Sequence, residues 1–317
     1  MSLHLLPRAL RYVLAVAEHG SVQAASRAIG IAASAIDRQI HALEEAGQSP
    51  LFERQPRGMR LTPAGEALVV LARRWQADAD RMDTHLTEMR GQEHGVVRVA
   101  AMDSLANSLL PDLVTWVHQT HPRIHLAAEI MTPAEASEAL EQGTTDVTIA
   151  FNLPQHRYQH RLWSAPLPLG CAMSPTHPLA REAELDFAAL DGYPSVSQNE
   201  SLPVRQRLEH QYSWFFKDNA PVLTTNSLQL LKRSIAQSDM ILITSELDVL
   251  AEVEAGDLVF VPLRGRGLRP QTIAIAIDTR RTLLRATRVV TEHLAASAAA
   301  RLDGIRQVRG AADSSPD

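Results

Sequence analysis

Over the first 90 residues the apolar positions follow helical periods broken by glycine. Leu6, Leu10, Val13 and Ala17 share one helical face, and Gly20 ends the run. Ser21 is suited to cap a second helix over residues 22–29, with Val22, Ala25 and Ile29 on its inner face. Gly30 breaks the pattern again, and a third helix puts Ile36, Ile40 and Leu43 inward. Two short helices joined by a tight glycine-containing turn describe a helix-turn-helix. Residues 51–54 and 59–62 then flank Gln55-Pro56-Arg57-Gly58, a turn tetrapeptide, which predicts a β-hairpin wing tipped with arginine.

A long helix follows. Thr62 is its cap, Pro63 fits its first position, and Glu66 lies in its first turn. Leu68, Leu71, Trp75, Ala79, Met82, Leu86 and Met89 follow at steps of 3, 4, 4, 3, 4 and 3, a near-heptad seam with polar residues on the other faces. Such a seam predicts pairing with a second helix, and so a dimer. From Gly95 the pattern changes to short apolar runs alternating with helical stretches. Strands are predicted at 96–101, 125–130 and 147–151, with helices at 105–118 and 134–142 between them; such crossovers imply a parallel sheet. A second unit begins near Leu167, with strands at 169–173, 195–197, 222–225, 241–244 and 258–263 and helices at 204–212 and 227–236. A last strand at 272–277 and a helix from about 284 to 302 read as additions to the first unit, giving two α/β lobes joined by two crossovers.

Composition narrows the class. The chain of 317 residues is too long for one ordinary domain, and 45% hydrophobic with 21% charged residues is ordinary for a globular protein. With 4 Trp, 4 Tyr and 6 Phe, the core rests on aliphatic side chains. No apolar run approaches the ~18 residues of a membrane span. The N-terminal segment MSLHLLPRALRYV has charge and proline where a secretion signal has an apolar core, so a cytoplasmic location is expected. Cys171 stands alone, which rules out an internal disulfide and a Cys-rich zinc module, and it reads as a small buried hydrophobe. The net charge of −5 argues against nucleic acid until it is divided: +2 for residues 1–62, −1 for 63–90 and −6 for 91–317.

The residues at 9–66 resemble the LysR-type transcriptional regulators. The resemblance rests on residues 10–18, Gly20-Ser21, Ala24-Ala25, residues 35–40, Leu43-Glu44, residues 50–54 and Arg57-Gly58-Met59-Arg60-Leu61-Thr62-Pro63-Ala64-Gly65-Glu66, without an insertion. Beyond residue 66 the layout agrees, helped by Leu109-Leu110-Pro111 and His177-Pro178-Leu179. The resemblance implies an α+β multidomain chain. A winged helix-turn-helix DNA-binding domain spans 5–62 and a linker and dimerisation helix 63–91. A two-lobed, periplasmic-binding-protein-like effector domain covers 92–308, with lobe 1 at 92–164 and 268–304 and lobe 2 at 165–267. A polar tail, expected to be unstructured, follows at 309–317. The resemblance further implies double-stranded promoter DNA, a small-molecule effector and copies of the chain itself (a homodimer, assembled as a homotetramer) as partners. RNA polymerase joins them if the protein is an activator. Ala33 and Asp37 depart from the family pattern, and Gly47 stands one place earlier than usual, which leaves the end of the third helix open.

With Ile36, Ile40 and Leu43 inward, Ser34, Arg38 and His41 face outward and Asp37 lies on the flank. In a recognition helix these residues read base edges, Arg38 through guanine O6 and N7, while Asp37 could accept from a cytosine amine. Arg54, Arg57 and Arg60 belong to the wing and suit phosphates or a narrow minor groove. A head of charge +2 holds few phosphates, so dimerisation through 68–89 is expected to double its contacts. In the C-terminal half, the strand-end positions Met102, Ser104, Met131, Thr132, Phe151, Asn152, Ser197 and Asn226 are the candidate effector contacts. Ser104 at a helix start suits an anion, although Asp103 would disfavour a carboxylate there unless it points away. Each candidate also reads as an ordinary cap or core residue.

Other classes have less support. G-x-S-x-G, P-loop, G-x-G-x-x-G and H-E-x-x-H motifs are absent, so no enzymatic activity is expected. Pro122 interrupts the spacing of His118, His121 and His125, and His156 and His160 have no better claim, so neither a metal nor a cofactor is expected. The alternatives are a cytoplasmic two-lobed binding protein and an architectural DNA-binding dimer whose C-terminal half senses nothing.

Overall fold

The computed structural model describes residues 5–56, 58–88, 95–198, 203–265 and 267–312. The sequence expectations at Arg57 and Met89 lie outside them. The chain divides into two compact units, the first built from the N-terminal 96 residues and the second from nearly all the rest.

In the first unit, α1 (Arg8–His19) ends where Gly20 takes φ 69°, a left-handed conformation glycine adopts without steric cost. The Ser21 hydroxyl accepts the Ala24 N–H at 3.1 Å and so starts α2 (Val22–Ile29), while Gly30 at φ 68° ends it. The recognition helix α3 (Ala33–Gly47) ends differently: Gln48, not glycine, is the left-handed residue at φ 48°, and the Ser49 N–H returns to the Glu44 carbonyl at 3.1 Å. The early glycine is spent inside the helix, and the cap falls on a residue with a Cβ. Strands β1 (Phe52–Gln55) and β2 (Gly58–Leu61) pair antiparallel, Phe52 opposite Leu61. Val13, Val16, Ala25, Ile36, Ile40, Leu51, Phe52 and Val69 form the core. Thr62 joins wing to helix: its hydroxyl donates to the Pro50 carbonyl (2.6 Å) and accepts the Gly65 N–H (3.0 Å). Helix α4 (Pro63–Glu88) turns Val69 and Ala72 inward. Leu71, Trp75 and Met82 of the seam remain 40%, 46% and 46% exposed, a row of large apolar side chains without cover.

The second unit has two lobes. Lobe 1 holds β3 (Gly95–Ala101), a single 3-10 turn (Asp103–Leu105), α5 (Leu109–Thr120), β4 (Ile124–Ile130), α6 (Pro133–Gln142), β5 (Val147–Phe151) and β6 (Gln159–Leu167). Lobe 2 holds β7 (Leu169–Met173), β8 (Ser195–Gln198), α7 (Pro203–Gln211), α8 (Ser213–Asp218), β9 (Leu223–Thr225), α9 (Leu228–Ala236), β10 (Ile241–Ser245), α10 (Glu246–Glu254) and β11 (Val259–Pro262). The chain then returns to lobe 1 as β12 (Gln271–Asp278) and α11 (Arg285–Ala312). The sheets run β4-β3-β5-β12-β6 and β11-β7-β10-β8-β9.

Several expectations need correction. The sheets are mixed: β3 pairs parallel with β5, but the returning β12 is antiparallel to both β5 and β6. A crossover pattern constrains the strands it joins and says nothing about a strand that comes back from another lobe. β6, not expected at all, is an edge strand with mostly exposed side chains and Pro166, so it lacks a buried alternation. The helix expected at 105–118 is instead the 3-10 turn followed by α5 from Leu109. α8 and α10 were not expected: α8 has six residues, and α10 follows β10 without a break because Ser245 ends the strand and caps the helix. α11 runs to Ala312, past the expected end near 302 and into the segment expected to be an unstructured tail. Leu247 and Leu250 of α10 pack into the lobe 1 core while Val249 packs into lobe 2, so this one helix is shared between the lobes.

Candidate DNA-binding face and sensing cleft

On the head, Ser34, Arg38 and His41 are exposed along one side of α3, and Asp37 is half-buried beside them. Arg54 and Arg60 are exposed on the wing. The Asp37 carboxylate stands 3.6 Å from the Arg54 guanidinium and 3.6 Å from His41 Nε2, while His41 Nδ1 faces Glu44 at 3.2 Å. These exposed pairs contribute little stability, but they place an acid between recognition helix and wing. Glu44 Oε1 accepts the N–H groups of Leu51 and Phe52 at 2.8 and 3.3 Å, fixing the start of the wing to the end of α3. The starts of α2 and α3 and the wing line one concave surface that includes Ser21, Ser34, Asp37, Arg54 and Gly58. Backbone N–H groups at two helix starts beside an arginine suit a phosphate chain.

In the second unit, two cavities open where the lobes face one another, and the candidate effector residues divide between them. Met102, Phe151, Asn152 and Ser197 line a cavity of about 50 Å³. Met102 again, with Ser104, Met131, Thr132 and Asn226, lines a neighbouring one of about 280 Å³. Several of these side chains are already engaged. Asn152, at φ 48°, donates to the Gln271 side chain (3.0 Å) and accepts the Thr272 N–H (3.1 Å). Thr132 caps α6, exchanging hydrogen bonds with Glu135, whose carboxyl these bonds hold below its ordinary range. The Ser197 hydroxyl accepts from Arg205 at 2.6 Å. Ser104, expected to open a long helix, lies in the three-residue turn, buried, with its hydroxyl toward the Asp248 carboxyl.

The sequence reading missed much of the first cavity: Phe215 and Phe216 from α8, Arg205 from α7, Gln271 from β12 and Asp248 from α10. Trp214-Phe215-Phe216 is the chain's one run of consecutive aromatics, and in so aromatic-poor a sequence it was the available signal. Arg205 lies over the Phe216 ring at 4.3 Å and pairs with Glu209 at 2.6 Å. Asp248 is buried, which pushes its carboxyl above the ordinary range, while bonds from Thr244, Ser245 and Ser104 act the other way. One Asp248 oxygen takes the Thr244 hydroxyl and both the Ser245 N–H and hydroxyl. Cys171 is fully buried, and burial raises its thiol far out of the reactive range. His156 pairs with Glu141 (3.3 Å), and no cluster of three or more metal-ligating side chains occurs among the described residues.

Residues 7–66 match the family of bacterial regulatory helix-turn-helix proteins of lysR type, and residues 90–299 match the LysR substrate binding domain. The chain belongs to the LysR family. Among LysR relatives, the HTH-type transcriptional regulator TfdS of Cupriavidus pinatubonensis is 34% identical over 166 residues, 50% of this chain and 56% of that protein. The chain therefore spans little more than half the length of this relative. The RuBisCO operon transcriptional regulator of Acidithiobacillus ferrooxidans is 25% identical over 92% of this chain and 93% of its own. Full-length CbnR, a LysR family transcriptional regulator solved with its target DNA, superposes with a TM-score of 0.67 at 20% identity, covering 92% of this chain and 99% of that one. A full-length OxyR variant from Pseudomonas aeruginosa gives 0.63 at 21%, covering 91% and 93%. At those identities the likeness speaks for the LysR fold. No helix among the described residues is long and apolar enough to cross a membrane.

Proposed function

We propose that this LysR protein is a transcriptional regulator whose winged head binds promoter DNA, and whose two-lobed half senses a small molecule held between the lobes. The observation that carries the DNA half is the exposed face of α3, with Arg38 between Ser34 and His41 and the wing arginines Arg54 and Arg60 beside it. An arginine there can bond guanine O6 and N7 together, and the wing supplies phosphate contacts. The uncovered row Leu71, Trp75 and Met82 on α4 supports a homodimer through that helix, which would set two recognition helices on a two-fold related site. A dimer of dimers, and contact with RNA polymerase if the protein activates, extend this reading. The regulator CbnR was solved on its target DNA, and the same docking is the proposal here. The relatives are named for regulating transcription, which supports a non-enzymatic role.

The sensing half rests on the cleft. Its first cavity, about 50 Å³, is far smaller than the roughly 300–1,000 Å³ of sites for drug-sized ligands. An organic effector therefore fills this first cavity only with the lobes further apart, whereas the neighbouring cavity of about 280 Å³ is close to that range as it stands. A ligand that favours one lobe arrangement shifts the population toward it. The experiment is Arg38→Ala in the full chain, titrated on a site selected from random DNA. A loss of about 1–3 kcal/mol at that site is expected, with non-specific binding and sedimentation unchanged. Equal affinity for the selected site would remove Arg38 from base reading and, with it, this assignment of the face.

A further inference from the structure

We propose that the sensing cleft takes an uncharged small molecule with an aromatic or aliphatic body, and that Asp103 is the residue that excludes carboxylates. This deepens the effector reading above and rests on it. The starting point is the placement of Asp103. Its carboxylate reaches from lobe 1 to lobe 2 and accepts the N–H of Leu228, the first residue of α9, at 3.0 Å. A helix start with a free N–H is where an anionic ligand would bind most readily. Here the chain's own carboxylate occupies the first N–H, and the Ser227 hydroxyl takes the third, Leu230 N–H, at 3.3 Å.

Two further groups of donors at the cleft are engaged as well. The Phe151 N–H at the end of β5 is directed at the Met102 thioether sulfur, 3.0 Å away. The start of α6 is closed by the Thr132–Glu135 exchange. Among the described residues the larger cavity is lined by two carboxylates, Asp103 and Glu135, and by no Lys, Arg or His. A carboxylate ligand would meet like charge there. Among the described residues Arg205 is the one cation lining the smaller cavity, and Glu209 balances it while its guanidinium also donates to Ser197. What remains for recognition is apolar surface, chiefly Phe151, Phe215, Phe216 and Ile243, with neutral hydrogen-bonding groups on Ser195 and Gln198. Burial favours the neutral form of a ligand as it does of a side chain, since an unpaired charge is costly to desolvate. An uncharged molecule meets no such penalty.

The test uses the full-length protein and two probes of one shape, benzamide and benzoate, measured by isothermal titration and ligand-observed NMR. Wild type is expected to bind benzamide at least about tenfold more tightly than benzoate. Asp103→Asn keeps an acceptor for the Leu228 N–H but removes the charge, and should narrow that ratio by about tenfold. Asp103→Ala also frees the helix start and should narrow it further. A wild-type preference for benzoate, a ratio unchanged in both variants, or no binding of either probe would overturn the charge assignment. Gln198→Trp, at a position that lines both cavities, fills the cleft and separates this from failure of the effector reading. Probe binding that survives Gln198→Trp would place the probes outside the cleft and overturn both.

Discussion

Glu44 holds the recognition helix to the wing, and its removal offers a measurable test of how the DNA-binding face is kept in shape. One carboxylate oxygen accepts two backbone N–H groups, those of Leu51 and Phe52, at 2.8 and 3.3 Å. Both residues are 7% exposed, so water cannot readily replace the lost acceptor. A hydrogen bond to a charged group contributes about 1.5–3 kcal/mol, and a buried donor left without a partner costs about 1–3 kcal/mol. The 3.3 Å contact is long and adds little. Glu44→Ala should therefore destabilise the wing by about 2 kcal/mol, whereas Glu44→Gln, which keeps an acceptor without its charge, should cost about half as much. Amide hydrogen exchange on the full-length protein reads this directly: about 2 kcal/mol is roughly thirtyfold faster exchange in residues 51–61. Exchange in lobe 1 should not change. If Glu44→Ala left the wing's exchange as in wild type, the wing would be held by its apolar contacts alone and the assigned role of Glu44 would be wrong.

Two further outcomes are expected. Trp75→Glu puts a charge into the uncovered seam of α4; Trp75 is 46% exposed, or about 100 Å² of indole, worth about 2–3 kcal/mol per protomer if a second copy covers it. Sedimentation should show the dimer weakened by about a hundredfold or more, and an unchanged dissociation constant would place the dimer contact elsewhere. Asp278→Asn removes the charge that Arg280 (2.6 Å) and Arg281 (2.8 Å) share, together with one of its two acceptor oxygens. Burial of Asp278 works to raise its carboxyl pKa, but the bonds and charges of Arg280 and Arg281 outweigh it and hold the group below the ordinary range. A depressed pKa stabilises the fold fully above the unfolded value of about 4 and loses that stabilisation as pH falls through the folded value. The variant should thus be less stable than wild type by about 1–3 kcal/mol at pH 7, and thermal melts of the two should converge in acid. A stability gap that stayed constant with falling pH would contradict the pairing.

Much of the helix-turn-helix head could be read from the sequence because its signals are local. Ser21 caps α2, Gly20 and Gly30 end helices at positive φ, and Thr62 caps α4, each needing only its neighbours within a few residues. The outward face of α3 follows from the inward one by the helical period, which is why Ser34, Arg38 and His41 could be named from spacing. Even there the cap at Gln48 depended on a conformation that sequence pattern disfavours. The sensing cleft was less accessible. Its candidates were strand ends, which a period locates, but the side chains that complete the first cavity come from a six-residue helix, from a strand returning from the other lobe and from a helix shared between the lobes.

What the amino-acid sequence determined by itself is therefore the set of helices and strands whose periods and caps are written in contiguous residues, the resemblance carried by residues 9–66, and the charge asymmetry between head and body. What only the tertiary structure decided is where groups far apart in the chain meet. Asp103 and Leu228 are 125 positions apart, and nothing local to either says that the carboxylate of one closes the helix start of the other. Asn152 and Gln271, 119 positions apart, meet because β12 returns antiparallel beside β5. Spacing in a sequence encodes the faces of single elements; which donors a ligand finds free depends on the packing of several, and that is fixed only when the whole domain folds.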